Sequence, residues 1–391
     1  MKLQDACEFI IDCPHSTASD EGEGYPLIRT PNIGRGRLIL EGVHRVSKPV
    51  YDKRNARGVP QDDDLIFARE APAGNVAIIK NGEKVCLGQR TVLLRPNKEI
   101  VDPDFLTYYL LAPKQQYGLT GTANGATVAH VNIPTIRNLE IVLPELSVQV
   151  KAACCLKCFD DLIENNQKQI KLLEEAAQRL YREWLIDLRF PGHVSKKIVD
   201  GIPENWIKTS LAEICDIRKE TITPERIQDN LPYIGLEHMP RKDICLSNWG
   251  NSSDVNSNKF AYYENDIIFG KIRPYFHKVG FALNNGVVST DSFVMVAKKE
   301  LWSLLLMTVS DSLFVDYTYQ TCKEGAKMPR ADWNKMKEYS VLIPDDAILQ
   351  SFNENIISIT TKIKIMAMEN RRLAEARDRL LPKLMNGEIE I

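Results

Sequence analysis

The fold is decided by residues 146–188, which read LSVQVKAACCLKCFDDLIENNQKQIKLLEEAAQRLYREWLIDL. This segment contains neither proline nor glycine, and Pro191 and Gly192 follow it. One set of positions recurs at alternating spacings of three and four residues and is apolar at all but one member: Leu156, Phe159, Ile163, Asn166, Ile170, Leu173, Ala177, Leu180 and Trp184. This heptad seam predicts a long coiled-coil helix that ends before Pro191. Because a lone helix cannot bury such a seam, we expect a partner helix.

The C-terminal region contains a helix of the same kind. The spacing of three and four returns in Ile356, Ile359, Ile363, Met366, Asn370, Leu373, Arg377, Leu380 and Leu384. Five residues of the first helix also recur 200 positions later: Leu173, Glu175, Ala176, Arg179 and Leu180 return as Leu373, Glu375, Ala376, Arg379 and Leu380. Any two amphipathic helices share apolar spacing, but shared Glu, Ala and Arg at one offset favour a duplicated unit.

The stretches before the two helices carry matching landmarks. DLIFAREAP at residues 64–72 aligns with DIIFGKIRP at residues 266–274, an offset of 202. A Gly-Ala pair and a later segment that ends in proline recur at an offset of 200, with the prolines at positions 144 and 344. The sequence therefore predicts one globular half and one long helix, each present twice.

Each half has a mixed pattern, which predicts α+β domains. Short apolar runs predict strands, among them DLIFA, NVAII and RTVLLRP in the first half and DIIFG, KVGFAL and SFVMVA in the second. Helices are expected at residues 103–111 and 301–319, and a Gly/Thr/Asn-rich loop at residues 117–132. The predicted fold is two tandem globular α+β domains, residues 1–144 and 193–344, with two long helices, residues 145–192 and 345–391.

Composition bounds the class of protein. A chain of 391 residues is too long for one ordinary core, and 44% hydrophobic with 26% charged residues is typical of a globular protein. No apolar run reaches the ~18 residues that a membrane span needs, and the N-terminus does not resemble a signal peptide. Nine cysteines, an odd number, favour the reducing cytoplasm over a disulfide framework. A formal net charge of −2 means that a nucleic-acid binder must concentrate its basic residues locally.

Catalytic signatures are absent from the sequence. It has no GxxxxGK[ST] phosphate loop, no GxSxG elbow and no HExxH zinc motif. The acidic run at residues 62–64, with Glu83 and Lys84, could form a nuclease-like carboxylate cluster, but acidic turns before strands are common. Cys154 and Cys158 lie one helical turn apart, as zinc ligands can, yet neither a His nor a second Cys pair lies nearby. We therefore interpret Cys154, Cys155 and Cys158 as small residues that fill a helix interface, and we expect no metal site and no cofactor pocket.

Basic residues gather in loops of both halves. The first half carries Arg29, Arg35, Arg37, Arg45, Lys53, Arg54, Arg57, Arg69 and Arg90, mostly among Gly, Pro and Asn. The second carries Lys271, Arg273, Tyr275, His277, Lys278, Lys323, Lys327 and Arg330. Guanidinium groups suit phosphates and guanine edges alike, so these loops favour DNA binding. The alternative is a set of ordinary solvated loops on a non-catalytic coiled-coil scaffold for proteins, or a DNA-cutting enzyme whose carboxylates we cannot place.

The arrangement resembles the specificity (S) subunit family of type I restriction–modification enzymes. The residues that carry the resemblance are DCPHST at 12–17, CLGQRT at 86–91, GKIRPY at 270–275, LLEEAAQRLYREW at 172–184 and LLPKLMNG at 380–387. The resemblance covers nearly the whole chain. Two departures are the near-neutral charge and the Pro203-x-x-Trp206 lead, which the first half lacks. Either the first half has lost this lead, or the true start lies upstream of Met1.

The resemblance implies that each globular half is a target-recognition domain that reads one part of a split, asymmetric site in double-stranded DNA. The chain would be non-catalytic and would bind two modification (methyltransferase) subunits and the restriction subunits. S-adenosylmethionine, ATP and Mg would then belong to those partners only. The expected DNA-binding residues are His15, Arg29, Arg35, Arg69, Arg90, Asn124, His130, Lys271, Arg273, Tyr275, His277, Lys327 and Arg330.

The resemblance further implies that the two long helices pair antiparallel. Facing residues then have numbers with a constant sum, and a sum of 536 sets Asn166 against Asn370. The expected pairing residues are Phe159, Ile163, Asn166, Leu173, Leu180, Ile356, Ile363, Asn370, Leu373 and Arg377. In this register Trp184 faces Phe352, and Arg377 is expected to lie over the ring of Phe159.

Overall fold

The computed structural model of the chain describes residues 1–121, 130–227, 230–322 and 327–389. The chain forms two compact units. Unit 1 comprises Met1–Ile163 with Arg372–Ile391, and unit 2 comprises Glu164–Arg371. Each long helix contributes one part to each unit, so the units cut across the four segments that the sequence predicts.

Unit 1 is built from short strands and helices followed by the start of the first long helix. Its strands are β1 (Cys7–Asp12), β2 (Tyr25–Ile28), β3 (Gly36–Arg37), β4 (His44–Val46), β5 (Leu65–Ala68), β6 (Val76–Ile78), β7 (Cys86–Leu87) and β8 (Thr91–Pro96). Its helices are α1 (Lys48–Arg54), α2 (Pro103–Leu111), α3 (Pro113–Thr120), α4 (Ile133–Arg137) and the first part of α5 (Leu146–Tyr181).

The main sheet of unit 1 has the strand order β1-β8-β5-β6-β3, and β4-β2-β7 forms a smaller sheet. Strand β5 is buried along its whole length, as its run of apolar residues predicts. Helix α2 covers this sheet and begins where Asp102 accepts a 2.8 Å hydrogen bond from the backbone N–H of Phe105, with Pro103 at its first position. The second long helix closes the same core with Leu381, Leu384 and Met385.

Unit 2 contains more strands. They are β9 (Ile198–Val199), β10 (Ile202–Pro203), β11 (Ile207–Ser210), β12 (Cys215–Arg218), β13 (Thr221–Ile222), β14 (Pro232–Ile234), β15 (Cys245–Leu246), β16 (Gly250–Asn251), β17 (Lys259–Tyr262), β18 (Ile267–Gly270), β19 (Val279–Ala282), β20 (Gly286–Val288), β21 (Ser292–Ala297) and β22 (Ser340–Ile343). Its helices are α6 (Leu211–Ile214), α7 (Trp302–Ser310), α8 (Ser312–Gln320), α9 (Trp333–Met336) and the first part of α10 (Asp346–Met385).

The duplication predicted from sequence is confirmed by strand topology. The main sheet of unit 2 has the order β12-β21-β18-β19-β15, which repeats the order of unit 1 strand for strand. The edge strand runs parallel to its neighbour in both sheets, β3 to β6 and β15 to β19. The smaller sheets also share a parallel pair, β2 with β7 and β14 with β20. The fold class is therefore α+β with an internal repeat, as predicted.

The long helices pair antiparallel within unit 2. The side chains of Asn166 and Asn370 share a 3.0 Å hydrogen bond, and the rings of Trp184 and Phe352 lie 6.2 Å apart, as the predicted register requires. Leu173, Leu180, Ile356 and Ile363 join the apolar core of this unit. The first helix is α-helical to Tyr181 and continues as one π-helical turn over Arg182–Ile186, close to the predicted end.

Within unit 1 the expected contact of Arg377 is wrong. Its guanidinium donates to Asp160 Oδ1 at 2.6 Å and also contacts Asp378. Among the residues described, no aromatic ring forms a cation–π contact with the Arg377 guanidinium. The carboxylate of Asp160, the residue after Phe159, is a stronger partner for it.

Three other expectations need correction. Residues 117–120, expected in a loop, form the last turn of α3, while 122–129 lie outside the described residues. The helix expected over 301–319 is two helices, because Asp311 caps a new helix by accepting from the backbone N–H of Leu313. Cys154, Cys155 and Cys158 are exposed on α5 and do not fill its interface. In the described part of the chain, no helix has the length and apolar character that crossing a membrane requires.

Candidate nucleic-acid interface

Arg69 follows β5 in unit 1 and anchors the segment that leads into α4. Its Nε donates to the carbonyl of Val131 at 2.9 Å, and its Nη1 donates to Asp12 at 3.1 Å. Its Nη2 lies 3.0 Å from His130 Nε2, and its backbone carbonyl accepts from the N–H of Val131 at 2.9 Å. The side chain is only 12% exposed. Arg69 therefore holds the segment at His130 and Val131 in place. The contact of Arg69 with DNA stays a prediction.

His130 connects Arg69 to a second ion pair. Because a guanidinium only donates, His130 Nε2 accepts from Arg69 and His130 Nδ1 donates to Glu70, 2.6 Å away. Glu70 also pairs with Arg90 at 2.7 Å. Asp12, the other partner of Arg69, has its Oδ2 3.2 Å from Nε2 of His15. The network of Asp12, His15, Arg69, Glu70, Arg90 and His130 brings together four of the predicted DNA-binding residues.

The other residues of unit 1 that were predicted to bind DNA do not belong to this network. Arg35 is exposed and donates to the carbonyl of Leu111 at 3.3 Å. Arg29 is half-buried, and among the described residues its Nε has no hydrogen-bond partner. Asn124 lies outside the described residues.

Lys271 takes the place of Arg69 in unit 2. The backbone carbonyl of Lys271 accepts from the N–H of Ala331 at 2.8 Å, as that of Arg69 does from Val131. Its Nζ lies 4.5 Å from the ring centre of Phe293 and donates to the carbonyl of Thr290 at 2.7 Å. Burial lowers the pKa of Lys271 to about 8, and the charge of Arg330 adds to the effect. Arg330 itself is paired with Asp291.

Aromatic side chains join the basic ones after Lys271. Tyr275 and Tyr319 are each 46% exposed, and their ring centres lie 5.2 Å apart. His277 is half-buried and donates from Nε2 to the carbonyl of Ser310 at 2.8 Å. Burial lowers the pKa of His277, so the ring is neutral at physiological pH and serves to position the turn. Lys327 is exposed and is the first described residue after position 326.

Two basic residues near Tyr275 and His277 were not predicted from the sequence. Arg241 lies 4.0 Å from the ring centre of Phe276, and the backbone N–H of Lys242 donates to the carbonyl of His277 at 2.9 Å. Both side chains are exposed. The available signal was the basic pair directly after Pro240, in a segment without apolar periodicity.

The acidic run that could suggest a nuclease has structural roles. Asp64 is buried and pairs with Arg95 at 2.7 Å. Asp63 pairs with Lys80 at 2.7 Å, and Asp62 accepts from the backbone N–H of Gly82 at 2.9 Å. Among the residues that the structure describes, no three His, Cys, Asp or Glu side chains come together so as to hold a metal ion. The described surface offers cations and rings for binding.

Comparison with known proteins places these features in a family. A family model described as the type I restriction modification DNA specificity domain matches residues 1–175. The chain is 30% identical to the type I restriction enzyme MjaVIII specificity subunit of Methanocaldococcus jannaschii, over 97% of this chain and 89% of that protein. It is 26% identical to the MjaIX specificity subunit of the same organism, over 100% of this chain and 93% of that protein.

The fold is also that of a solved structure. The S subunit of a type I restriction-modification system from M. genitalium superposes with a TM-score of 0.55 at 15% identity. The match covers 98% of this chain and 95% of that one, so both units and both long helices have counterparts in a single known chain.

Proposed function

The chain belongs to the specificity-subunit family of type I restriction–modification enzymes, and from this membership we propose that it selects the DNA site at which its partner subunits act. The observation that carries the proposal is the repeated sheet, with the strand orders β1-β8-β5-β6-β3 and β12-β21-β18-β19-β15. In each sheet a basic residue follows the central strand, Arg69 after β5 and Lys271 after β18. Two related folds with different side chains suit two different half-sites. The DNA site would therefore be bipartite and asymmetric, and each unit would read one half.

The partners follow from the same proposal. Two modification subunits would carry S-adenosylmethionine and the methylation chemistry, and the restriction subunits would use ATP and Mg. The chain itself would supply no reacting group and would work in the cytoplasm. The relatives are named as specificity subunits of type I restriction enzymes, which supports assembly with such partners.

Reconstitution tests the proposal. We expect the complex of this chain with two modification subunits to methylate adenines in a split motif, while the chain alone methylates and cleaves nothing. A gel shift on random duplex DNA separates this function from that of a protein-binding coiled-coil scaffold. A chain that gives no shift, with or without modification subunits, would favour the scaffold; methylation or cleavage by the chain alone would make it an enzyme.

A further inference from the structure

Two arginines share one aromatic ring in unit 2. The guanidinium carbon of Arg241 lies 4.0 Å from the ring centre of Phe276, and that of Arg273 lies 5.7 Å from the same centre. The two residues come from different loops, one before β15 and one after β18. Such stacking holds a guanidinium plane in place while its N–H edge stays free to donate.

In the part of the chain that the structure describes, neither arginine of this pair forms an ion pair. Among the described residues, no carboxylate lies within ion-pair distance of Arg241 or Arg273, and the buried Nε of Arg273 has no hydrogen-bond partner. In contrast, Arg69, Arg90 and Arg330 each pair with a carboxylate. Nearby, Lys278 adds a third positive charge; burial and Arg241 lower its pKa, and the exposed carboxylate of Glu237 opposes that shift. Clustered like charges repel, so this arrangement fits a ligand rich in acceptor atoms.

The backbone fixes the pair in position. Arg273 and His277 flank the short turn Pro274–Phe276, and both adopt the left-handed region, with φ of 52° and 53°. This conformation is strained for residues other than glycine, so surrounding contacts must hold it. The N–H of Arg273 donates to the carbonyl of Pro329 at 2.8 Å, and the carbonyl of His277 accepts from the N–H of Lys242 at 2.9 Å. The first bond ties the turn to the segment around Pro329, and the second ties it to the loop that carries Arg241.

We propose that Arg241, positioned beside Arg273 on the ring of Phe276, reads the major-groove edge of a guanine in the half-site recognised by unit 2. This inference rests on the proposed function and names a specificity-determining residue within it. Guanine presents two acceptors, N7 and O6, which match a planar guanidinium fork. A phosphate contact needs only charge, which exposed Lys242 and Lys327 supply without a fixed orientation. The fork of Arg241 lies over the ring of Phe276 and has no ion-pair partner among the described residues, which is the arrangement that base reading needs.

The test uses the full chain reconstituted with its modification subunits and a duplex library in which both half-sites are randomised. The variants are Arg241→Ala, Arg241→Lys and, as a matched control from the same loop, Lys242→Ala. Both Arg241 variants should lose discrimination at one G·C pair of one half-site by about 5- to 150-fold, since lysine keeps the charge but not the fork. The other half-site should keep its preference in every variant, which also reports that the complex is folded. Lys242→Ala, which removes a charge suited to phosphate, should weaken binding to every duplex alike and keep the whole motif.

Two results would overturn the inference. One is an unchanged motif with uniformly weaker binding in Arg241→Ala that Arg241→Lys restores, which would make Arg241 a phosphate contact. The other is an unchanged motif with unchanged binding in both variants. Failure of the proposed function gives a different result, because the wild-type complex would then select no split motif at all.

Discussion

Asn166 donates from Nδ2 to Asn370 Oδ1 over 3.0 Å, and the same amide lies 3.0 Å from Glu369 Oε2. Asn166 is 8% exposed and lies in a seam that is apolar at its other positions on α5. A buried amide is unfavourable unless it is paired, so this polar layer defines which residues of the two helices face each other.

Replacing one member of the pair should destabilise unit 2. Asn166→Ala leaves Asn370 without its partner, and we expect the free energy of unfolding in urea to fall by about 1–3 kcal/mol. Asn165→Ala is the matched control, because Asn165 is exposed on the same helix turn. The double variant Asn166→Leu with Asn370→Leu should recover most of the loss, since neither helix then buries an unpaired amide. Equal stability of Asn166→Ala and Asn165→Ala would contradict this account.

The helix register was predictable because it depends on local chemistry. Heptad spacing fixes the seam, and the two asparagines are the polar members that can satisfy each other. The contact of Arg377 was not predictable in the same way. Asp160 is adjacent in sequence to the expected ring, and only the rotation of the helix decides which of the two meets the guanidinium.

Glu174 makes the stability of unit 2 dependent on pH. It is 7% exposed on α5 and accepts from the backbone N–H of Ile244 at 2.9 Å. Burial raises its pKa to about 8, and Asp243 adds to the rise. The folded state then binds more protons than the unfolded state between pH ~4.5 and ~8, so stability falls as pH rises through that window.

The variant Glu174→Gln should remove this dependence. We expect wild type to lose up to about 1.4 kcal/mol per pH unit relative to Glu174→Gln across the window, as measured by urea unfolding at several pH values. Glu175→Gln, at an exposed neighbour, should follow wild type. A constant difference between wild type and Glu174→Gln from pH 5 to pH 8 would show that Glu174 titrates normally.

Arg69 should matter more for the structure of unit 1 than Arg90. Arg69→Ala leaves Asp12, His130 and the carbonyl of Val131 without their shared donor, and we expect a loss of about 3 kcal/mol. Arg90→Ala removes one ion pair of a side chain that is 62% exposed, and we expect at most about 1 kcal/mol. Hydrogen exchange at the Val131 amide should accelerate in Arg69→Ala only. Similar exchange in both variants would remove the positioning role from Arg69.

The candidate interface was only partly predictable from sequence. The segments after β5 and β18 could be predicted because they are basic and occupy equivalent places in the repeat. Their ion pairs could not be predicted, because Asp12 and Arg69 are 57 residues apart in sequence and Asp291 and Arg330 are 39 apart. Arg241 was missed for the same reason. Only the folded chain brings its guanidinium to the ring of Phe276 in another loop.

The most direct test of the central claim is to map methylated adenines on random duplex DNA modified by the full chain together with two modification subunits. Unit 1 and unit 2 share a strand order but differ at equivalent positions, such as Arg69 and Lys271. We therefore predict a motif of two different short sequences separated by unread base pairs. A continuous or palindromic motif, or methylation that is independent of sequence, would contradict the assignment of one half-site to each unit.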